Sequence, residues 1–399
     1  MQREYDLVIW GATGFTGKLV TEYVANQYDQ SNLKWAIAGR NRQKLEGIDG
    51  ARGLNILEAD AHDPAALKTL VESTRVILTT VGPYARYGNE LVAACARAGT
   101  HYCDLTGETH WVRRMIQLHQ DEAEQSGAII VPSCGFDSIP SDLGTYALQK
   151  EMLARHGVAA NRVTYRARDM RGGFSGGTID SMMAMMEQAE DDPELFKIAA
   201  DPYNLNFKWR GLDGLDSNRV HYDHDADTWV APFVMAPVNT RVVRRSNELL
   251  DLMYGSEFCY SEGMATGKGI QGQLAANGVA GGLSTFNVLP RFRPIRELMQ
   301  RFLPKPGEGP SEQDIQNGYF NIEMWAYHPT DREKTLTLDV HGKLDPGYGA
   351  TAKMLAESAV ALAQDELRVG GGFWTPASAM GDALLERLPE HADVTFVVR

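Results

Sequence analysis

A surplus of basic residues is missing from this chain of 399 residues: 39 lysines and arginines face 52 acidic residues, a formal net charge of −13. A phosphate backbone demands basic surface, so nucleic acid is excluded as a partner. Cysteine is scarce. Cys95, Cys103, Cys134 and Cys259 show no metal-ligand spacing, so no metal site is expected and the four read as reduced core thiols of a cytoplasmic protein. No uncharged apolar run reaches 18 residues, which excludes a spanning helix. The first apolar run begins so early that no signal peptide is expected before it. Repeats and low-complexity tracts are missing too, and the 43% apolar composition is that of a globular chain of two domains.

What is present begins with Tyr5 to Trp10, an apolar strand that breaks into Gly11-Ala12-Thr13-Gly14-Phe15-Thr16-Gly17 and then into a helix. Such a turn suits a dinucleotide. Gly11 lets the chain turn sharply, Gly14 lets backbone approach a pyrophosphate, and Gly17 lets the helix lie close on the sheet. The N–H groups at Thr13, Phe15 and Thr16 open a helix N-terminus that favours the phosphates. Phe15, Leu19, Val20, Tyr23 and Val24 share one helix face, and Leu33 to Ala38 then closes a βαβ unit. An acid about 20 positions past the glycines, the partner of an NAD ribose, is absent. Gly39-Arg40-Asn41-Arg42 stands there instead, and two guanidiniums suit a 2′-phosphate, so NADPH is the expected cofactor.

The alternation continues through strands at Asn55 to Glu58, Val76 to Val81, His101 to Asp104 and Ala128 to Val131. Helices are expected after Asp63-Pro64, over Asn89 to Ala98, and from about Thr109 to Gln125. Six strands with intervening helices define an α/β fold: a Rossmann-type, doubly wound parallel sheet. Past residue 150 the spacing is irregular. Strand-like runs at Arg162 to Arg168, Arg241 to Val243, Phe320 to Ala326 and Leu336 to Val340 suggest a second, mixed α+β domain. The polar stretch Asp201 to Asp227 and the seven glycines from Gly263 to Gly282 read as loops. Helical segments from about Ala350 to Ala363 and Thr375 to Leu388 complete the chain.

In an open α/β sheet, ligands lie across the carboxyl ends of the strands. Gly82, Pro83 and Tyr84 should lie there beside a nicotinamide, with Tyr84 either donating a proton or packing on the cofactor. Asp104 and Glu108 end the next strand. Each could be a general acid with a raised pKa, or could cap a helix and fix the loop. Cys134 reads as packing, and Asp137 as a holder of backbone ahead of a helix start whose N–H groups could steady a substrate carbonyl.

His221, Asp223, His224, Asp225 and Asp227 make a solvated acidic loop rather than a metal site. Met182, Met183, Met185 and Met186 suit a core or an acyl groove. Arg241, Arg244 and Arg245 read as solvated charge at a strand end, or as a grip for a carrier phosphate. Arg291 to Lys305 holds five basic residues and one acidic, with Ile295, Leu298, Met299 and Phe302 on one face. It is a basic amphipathic helix, suited to an anionic membrane surface or to its own domain.

With these motifs in hand, the chain resembles the saccharopine dehydrogenase-like family and, within it, the bacterial trans-acting enoyl reductases. The likeness is carried by the glycine turn, Ala38-Gly39-Arg40-Asn41, Val81-Gly82-Pro83-Tyr84, His101 to Glu108 and Cys134 to Asp142. It continues in Ala231 to Pro237, Pro306 to Pro310 and Trp374 to Ala377. The resemblance implies reduction of an acyl carbon–carbon double bond by NADPH, on a free or carrier-held chain, and a last helix that returns to the nucleotide domain. Residues 1–133 with 350–399 are then the dinucleotide-binding part, and 134–349 the substrate part. Two other readings stand beside it: an imine or amino-acid reductase of the same fold, and a non-catalytic NADPH-binding protein at a membrane or lipid surface. A cytoplasmic location, peripheral to the inner face of the membrane, and a homodimer complete the expectations.

Overall fold

A computed structural model describes residues 3–48, 53–172, 193–288 and 309–399. The methionine cluster Met182 to Met186 and the basic segment Arg291 to Lys305 fall outside the described residues. So do Pro306, Gly307 and Glu308.

The first sheet holds seven parallel strands in the order β13-β6-β5-β4-β1-β2-β3. Its members are β1 (Tyr5–Trp10), β2 (Trp35–Gly39), β3 (Asn55–Glu58), β4 (Thr74–Thr79), β5 (His101–Cys103), β6 (Ile129–Val131) and β13 (Gly372–Phe373). The order 3-2-1-4-5-6 is that of the doubly wound dinucleotide fold. Residue alternation explains its two covered faces: Leu7 and Ile9 join one core, while Val8 and Trp10 join the other. Asp63 caps the helix Pro64–Ser73 by accepting from the N–H groups of Ala65 and Ala66. The helices Asn89–Ala98 and Thr109–Ser126 each end at a glycine in the left-handed region, Gly99 (φ +67°) and Gly127 (φ +81°).

The second sheet runs β14-β12-β11-β7-β10-β9-β8 and is mixed, because β7 and β10 pair in parallel while the other neighbours are antiparallel. It comprises β7 (Arg162–Arg171), β8 (His221–Asp223), β9 (Thr228–Ala231), β10 (Cys259–Gly267), β11 (Tyr319–Tyr327), β12 (Leu336–Lys343) and β14 (Val394–Val398). The helix Ile139–His156 packs on it closely. A Cβ on Gly144 would sit 2.5 Å from the Met324 sulfur.

The helix Thr351–Gln364 lies on β1, β4 and β5, beside the first helix, Phe15–Gln27. Buried Glu357 ties it there, accepting from the phenols of Tyr23 (2.7 Å) and Tyr28 (2.6 Å) and from Arg387 (3.3 Å). The chain then supplies β13 to the first sheet and, after the helix Pro376–His391, β14 to the second. Residues 350–399 thus serve both sheets, because the edge of β12 offers Val394–Val398 a ladder of its own.

Three local expectations are corrected. Arg241 to Val243 is no strand but the middle of the helix Ala236–Leu249, since Pro237 at its first turn starts a helix through the whole run. Its arginines are not solvated: Arg241, Arg244 and Arg245 are buried and paired with Asp216, Asp213 and Glu248. The glycines from Gly263 to Gly282 form the end of β10 and a helix, Gly269–Val288, instead of a loop. Tertiary contact with β9 and β10 overrides their weak helix propensity there. The acids of 223–227 are held by cations: Asp223 by Arg166, Asp225 by Arg332 and Asp227 by Lys268.

Candidate functional site

At the carboxyl end of β1 the three glycines do three jobs. Gly11 has φ +89°, and a Cβ there would lie 2.6 Å from Val81 and 2.8 Å from the Thr80 hydroxyl. On Gly17 a Cβ would meet the Gly11 carbonyl oxygen at 2.1 Å, so helix and turn touch. At Gly14 it would meet only that same oxygen, at 3.3 Å, which leaves the turn's outer side open. The first intrahelical bond runs from Lys18 N–H to the Gly14 carbonyl (3.0 Å). Among the described residues the N–H groups of Phe15, Thr16 and Gly17 therefore have no acceptor and present a cradle for an anion. Thr13 sits in the turn, and the Phe15 ring meets Tyr348 edge-on at 5.0 Å. These residues fit a dinucleotide pyrophosphate.

Past β2 the two guanidiniums part company. Arg40 is exposed and has no ion pair or hydrogen bond among the described residues. Arg42 reaches Glu46 at 3.1 Å and the Ile56 carbonyl at 3.4 Å, and Asn41 caps the short helix Arg42–Glu46 by accepting from Lys44 N–H (3.0 Å). Arg40 is the guanidinium free for a 2′-phosphate.

Beyond β4, Val81 and Gly82 lead to Pro83, which opens the helix Tyr84–Tyr87. Tyr84 is buried against Trp111, with ring centroids 5.5 Å apart, and its phenol donates to the Thr79 carbonyl (3.2 Å). Burial, then Asp104, pushes that phenol far above its ordinary range. The Glu108 carboxylate accepts the N–H groups of Tyr84 and Ala85, both at 2.9 Å. Asp104 is fully buried and accepts from the Tyr102 phenol (2.7 Å) and from the N–H groups of Thr106 and Ser133 (2.9 Å each). Burial raises it to about 6 and those bonds restrain the rise. The three acids and phenols expected at the chemistry thus lace the ends of β4, β5 and β6 together. Cys134 is packed, its thiol donating to the Val131 carbonyl.

Asp137 differs from its expected role, because it holds no backbone. It is partly buried, has no hydrogen-bond or ionic partner among the described residues, and burial alone lifts it to about 6. It sits past β6 on the half of the sheet that lies away from β2 and β3, where the nicotinamide end of a dinucleotide falls.

Facing it, the second sheet contributes groups that the sequence did not reveal. Tyr165 of β7 stands in register with Glu262 of β10 and with Met324 of β11, so the three share one face. Phe233 stacks on Tyr165 at 5.6 Å, and Phe136 meets Phe320 at 4.7 Å. Glu262 accepts from the Tyr260 phenol (2.8 Å) and the Asn239 amide (3.0 Å), and burial raises it to about 7. The Tyr165 ring is 1% exposed, and its hydroxyl makes no hydrogen bond among the described residues. Burial, then Glu262, then Asp137, pushes that phenol far up. The signal that could have found Glu262 is an acid inside the apolar and β-prone run Cys259 to Ala265, just ahead of the glycines taken as loop.

A parallel sheet with this glycine turn and a facing mixed sheet defines a two-lobed nucleotide-dependent oxidoreductase. Residues 7–131 match the saccharopine dehydrogenase NADP binding domain, and the cofactor is NADP(H). The trans-acting enoyl reductase of Mycobacterium ulcerans is 39% identical over 420 residues, spanning 100% of this chain and 99% of its own. A Mycobacterium tuberculosis protein named as a candidate trans-acting enoyl reductase is 42% identical, spanning 97% and 96%. Among solved structures, apo saccharopine dehydrogenase (L-Glu forming) from Saccharomyces cerevisiae shares the fold, with TM-score 0.56, 11% identity, and coverage of 98% and 99%. The chain belongs to the saccharopine dehydrogenase-like family, in its trans-acting enoyl reductase branch. It is an NADP-dependent oxidoreductase.

Proposed function

We propose that this protein reduces the carbon–carbon double bond of an α,β-unsaturated acyl thioester, with NADPH as the reductant. Bound NADPH supplies the hydride. The chain's own part is to seat the phosphates on the Phe15–Gln27 helix and Arg40, and to present an apolar wall of Phe136, Phe233 and Phe320 to an acyl chain. One observation carries the choice of substrate. Among the described residues, the arginines drawn into the second lobe are already answered: Arg166 by Asp223, Arg168 by Glu323, and Arg241, Arg244 and Arg245 by acids of their own. An amino-acid substrate of the saccharopine kind needs free cations to pair its carboxylates. The names of the full-length relatives support the same reading.

The test is a panel of enoyl thioesters of increasing chain length, free and on an acyl carrier, against cyclic imines and amino-keto acids, followed by loss of NADPH absorbance and product mass. Saturated acyl products are expected. Turnover of the imines alone would replace this reading with the amino-acid one.

A further inference from the structure

We infer that the phenol of Tyr165 is the proton donor of the reduction, with Asp137 and Glu262 as the carboxyls that restore its proton. The assignment rests on enoyl reduction being the reaction. Hydride addition at the β-carbon places a carbanion at the α-carbon, delocalised onto the thioester oxygen. One proton must arrive for the saturated chain to form. The Tyr165 O–H bond breaks as the new α-C–H bond forms, and the phenolate recovers a proton from the neighbouring carboxyl, which refills from water.

Four observations converge on this phenol. Its ring is 1% exposed and stacked on Phe233, so it is fixed. Among the described residues its hydroxyl makes no hydrogen bond. Register then sets Glu262 beside it on the same face, and Asp137 acts on it across the lobes. Asp137 is likewise without a partner among the described residues, past the end of β6 and on the nicotinamide half of the first sheet. The alternatives are occupied: Tyr84 donates to Thr79, Glu108 holds two N–H groups, and Asp104 holds a phenol and two N–H groups. Burial keeps the Asp137 and Glu262 carboxyls partly protonated near neutrality, so they can return a proton where ordinary carboxylates could not.

The experiment compares the full chain with Tyr165→Phe and Asp137→Asn, using crotonyl thioester as the probe. Four readouts are taken: kcat, KM, NADPH affinity by fluorescence titration, and melting temperature. Because the hydroxyl has no partner among the described residues, Tyr165→Phe should melt within a few degrees of the parent and bind NADPH unchanged, while kcat falls on the order of a hundredfold at similar KM. Asp137→Asn should lower kcat about tenfold and enlarge the solvent deuterium isotope effect, a shift that a purely structural role would not cause. It also tests the assignment should Tyr165→Phe fail to fold. If Tyr165→Phe, or Asp137→Asn in its stead, keeps kcat within about threefold, the donor assignment is overturned. If the parent itself reduces no enoyl thioester while reducing imines, the functional reading has failed and the donor assignment falls with it.

Discussion

The carboxylate of Glu108 holds the backbone N–H of Tyr84 at 2.9 Å, and with its other oxygen that of Ala85, so an acid at the end of β5 fixes the turn that ends β4. Hydrogen bonds to a charged acceptor in such a place are worth about 1.5 to 3 kcal/mol. Glu108→Ala should therefore lower unfolding stability by about that amount and loosen NADPH binding through the Gly82-Pro83 turn. Glu108→Gln, which keeps an acceptor, should lose less and retain turnover. Denaturant unfolding and steady-state assays of both variants check this; a Gln variant that is stable yet dead would make Glu108 an acid catalyst instead.

Arg40 is unpaired while Arg42 is held by Glu46, which predicts unequal effects at the 2′-phosphate. Arg40→Ala should weaken NADPH by about 1.5 to 3 kcal/mol and leave NADH nearly unchanged. Arg42→Ala should weaken NADPH by less than half as much. Calorimetric titration of both cofactors against the three proteins decides, and equal losses at the two positions would place the phosphate between them.

The nucleotide lobe was legible because its signals are local. The glycine turn, the period of each helix and the caps at Asp63, Gly99 and Gly127 lie within a few residues of the elements they define. The second lobe was less so. Arg241 and Arg244 look like surface charge until the distant Asp216 and Asp213 fold over them, and that pairing has no sequence period. The candidate site divides in the same way. Strand ends at Tyr84, Asp104 and Glu108 could be found from the alternation, but that Glu108 holds the backbone of Tyr84 and Ala85, and Asp104 that of Ser133, depends on contacts more than 20 residues away. Tyr165 and Glu262 meet only because β7 and β10 pair in parallel across a connection that no short motif announces.

Four buried carboxyls set the pH dependence of stability. Asp104 and Asp137 are raised to about 6, and Asp142 and Glu262 to about 7, chiefly by burial. Unfolded, each releases its proton near pH 4. Between about pH 4 and 7 the folded chain therefore binds more protons than the unfolded one, and stability falls as pH rises through that window. His101 opposes them, since burial lowers it to about 4 and a neutral imidazole favours the higher pH. It is one group against four. Asp201, Asp223, Asp382 and Asp393, all lowered, withdraw their support only at more acid pH. Melting temperature should be highest near pH 5 and decline towards pH 8, and Glu262→Gln should flatten the decline. A melting temperature that climbs from pH 5 to 8 would contradict the assignment of these protons.

The last prediction concerns the ion pair that anchors β10. Arg244 is buried and bonds Asp213 at 2.8 Å, the Pro202 carbonyl at 3.0 Å and the Tyr260 carbonyl at 3.1 Å, while Asp213 accepts the Tyr260 N–H at 3.0 Å. Tyr260 is thus clamped from both sides, and its phenol in turn orients Glu262 at 2.8 Å. Removing one partner strands a buried charge, so Asp213→Leu should cost about 3 to 5 kcal/mol. Pairing it with Arg244→Met removes the stranded charge, and much of the stability should return. Activity should not return with it, because Tyr260 has lost the grip that positions Glu262 beside Tyr165. A double-mutant cycle read by unfolding and by enoyl turnover separates the two effects. Recovery of both together would show that the clamp serves the fold alone.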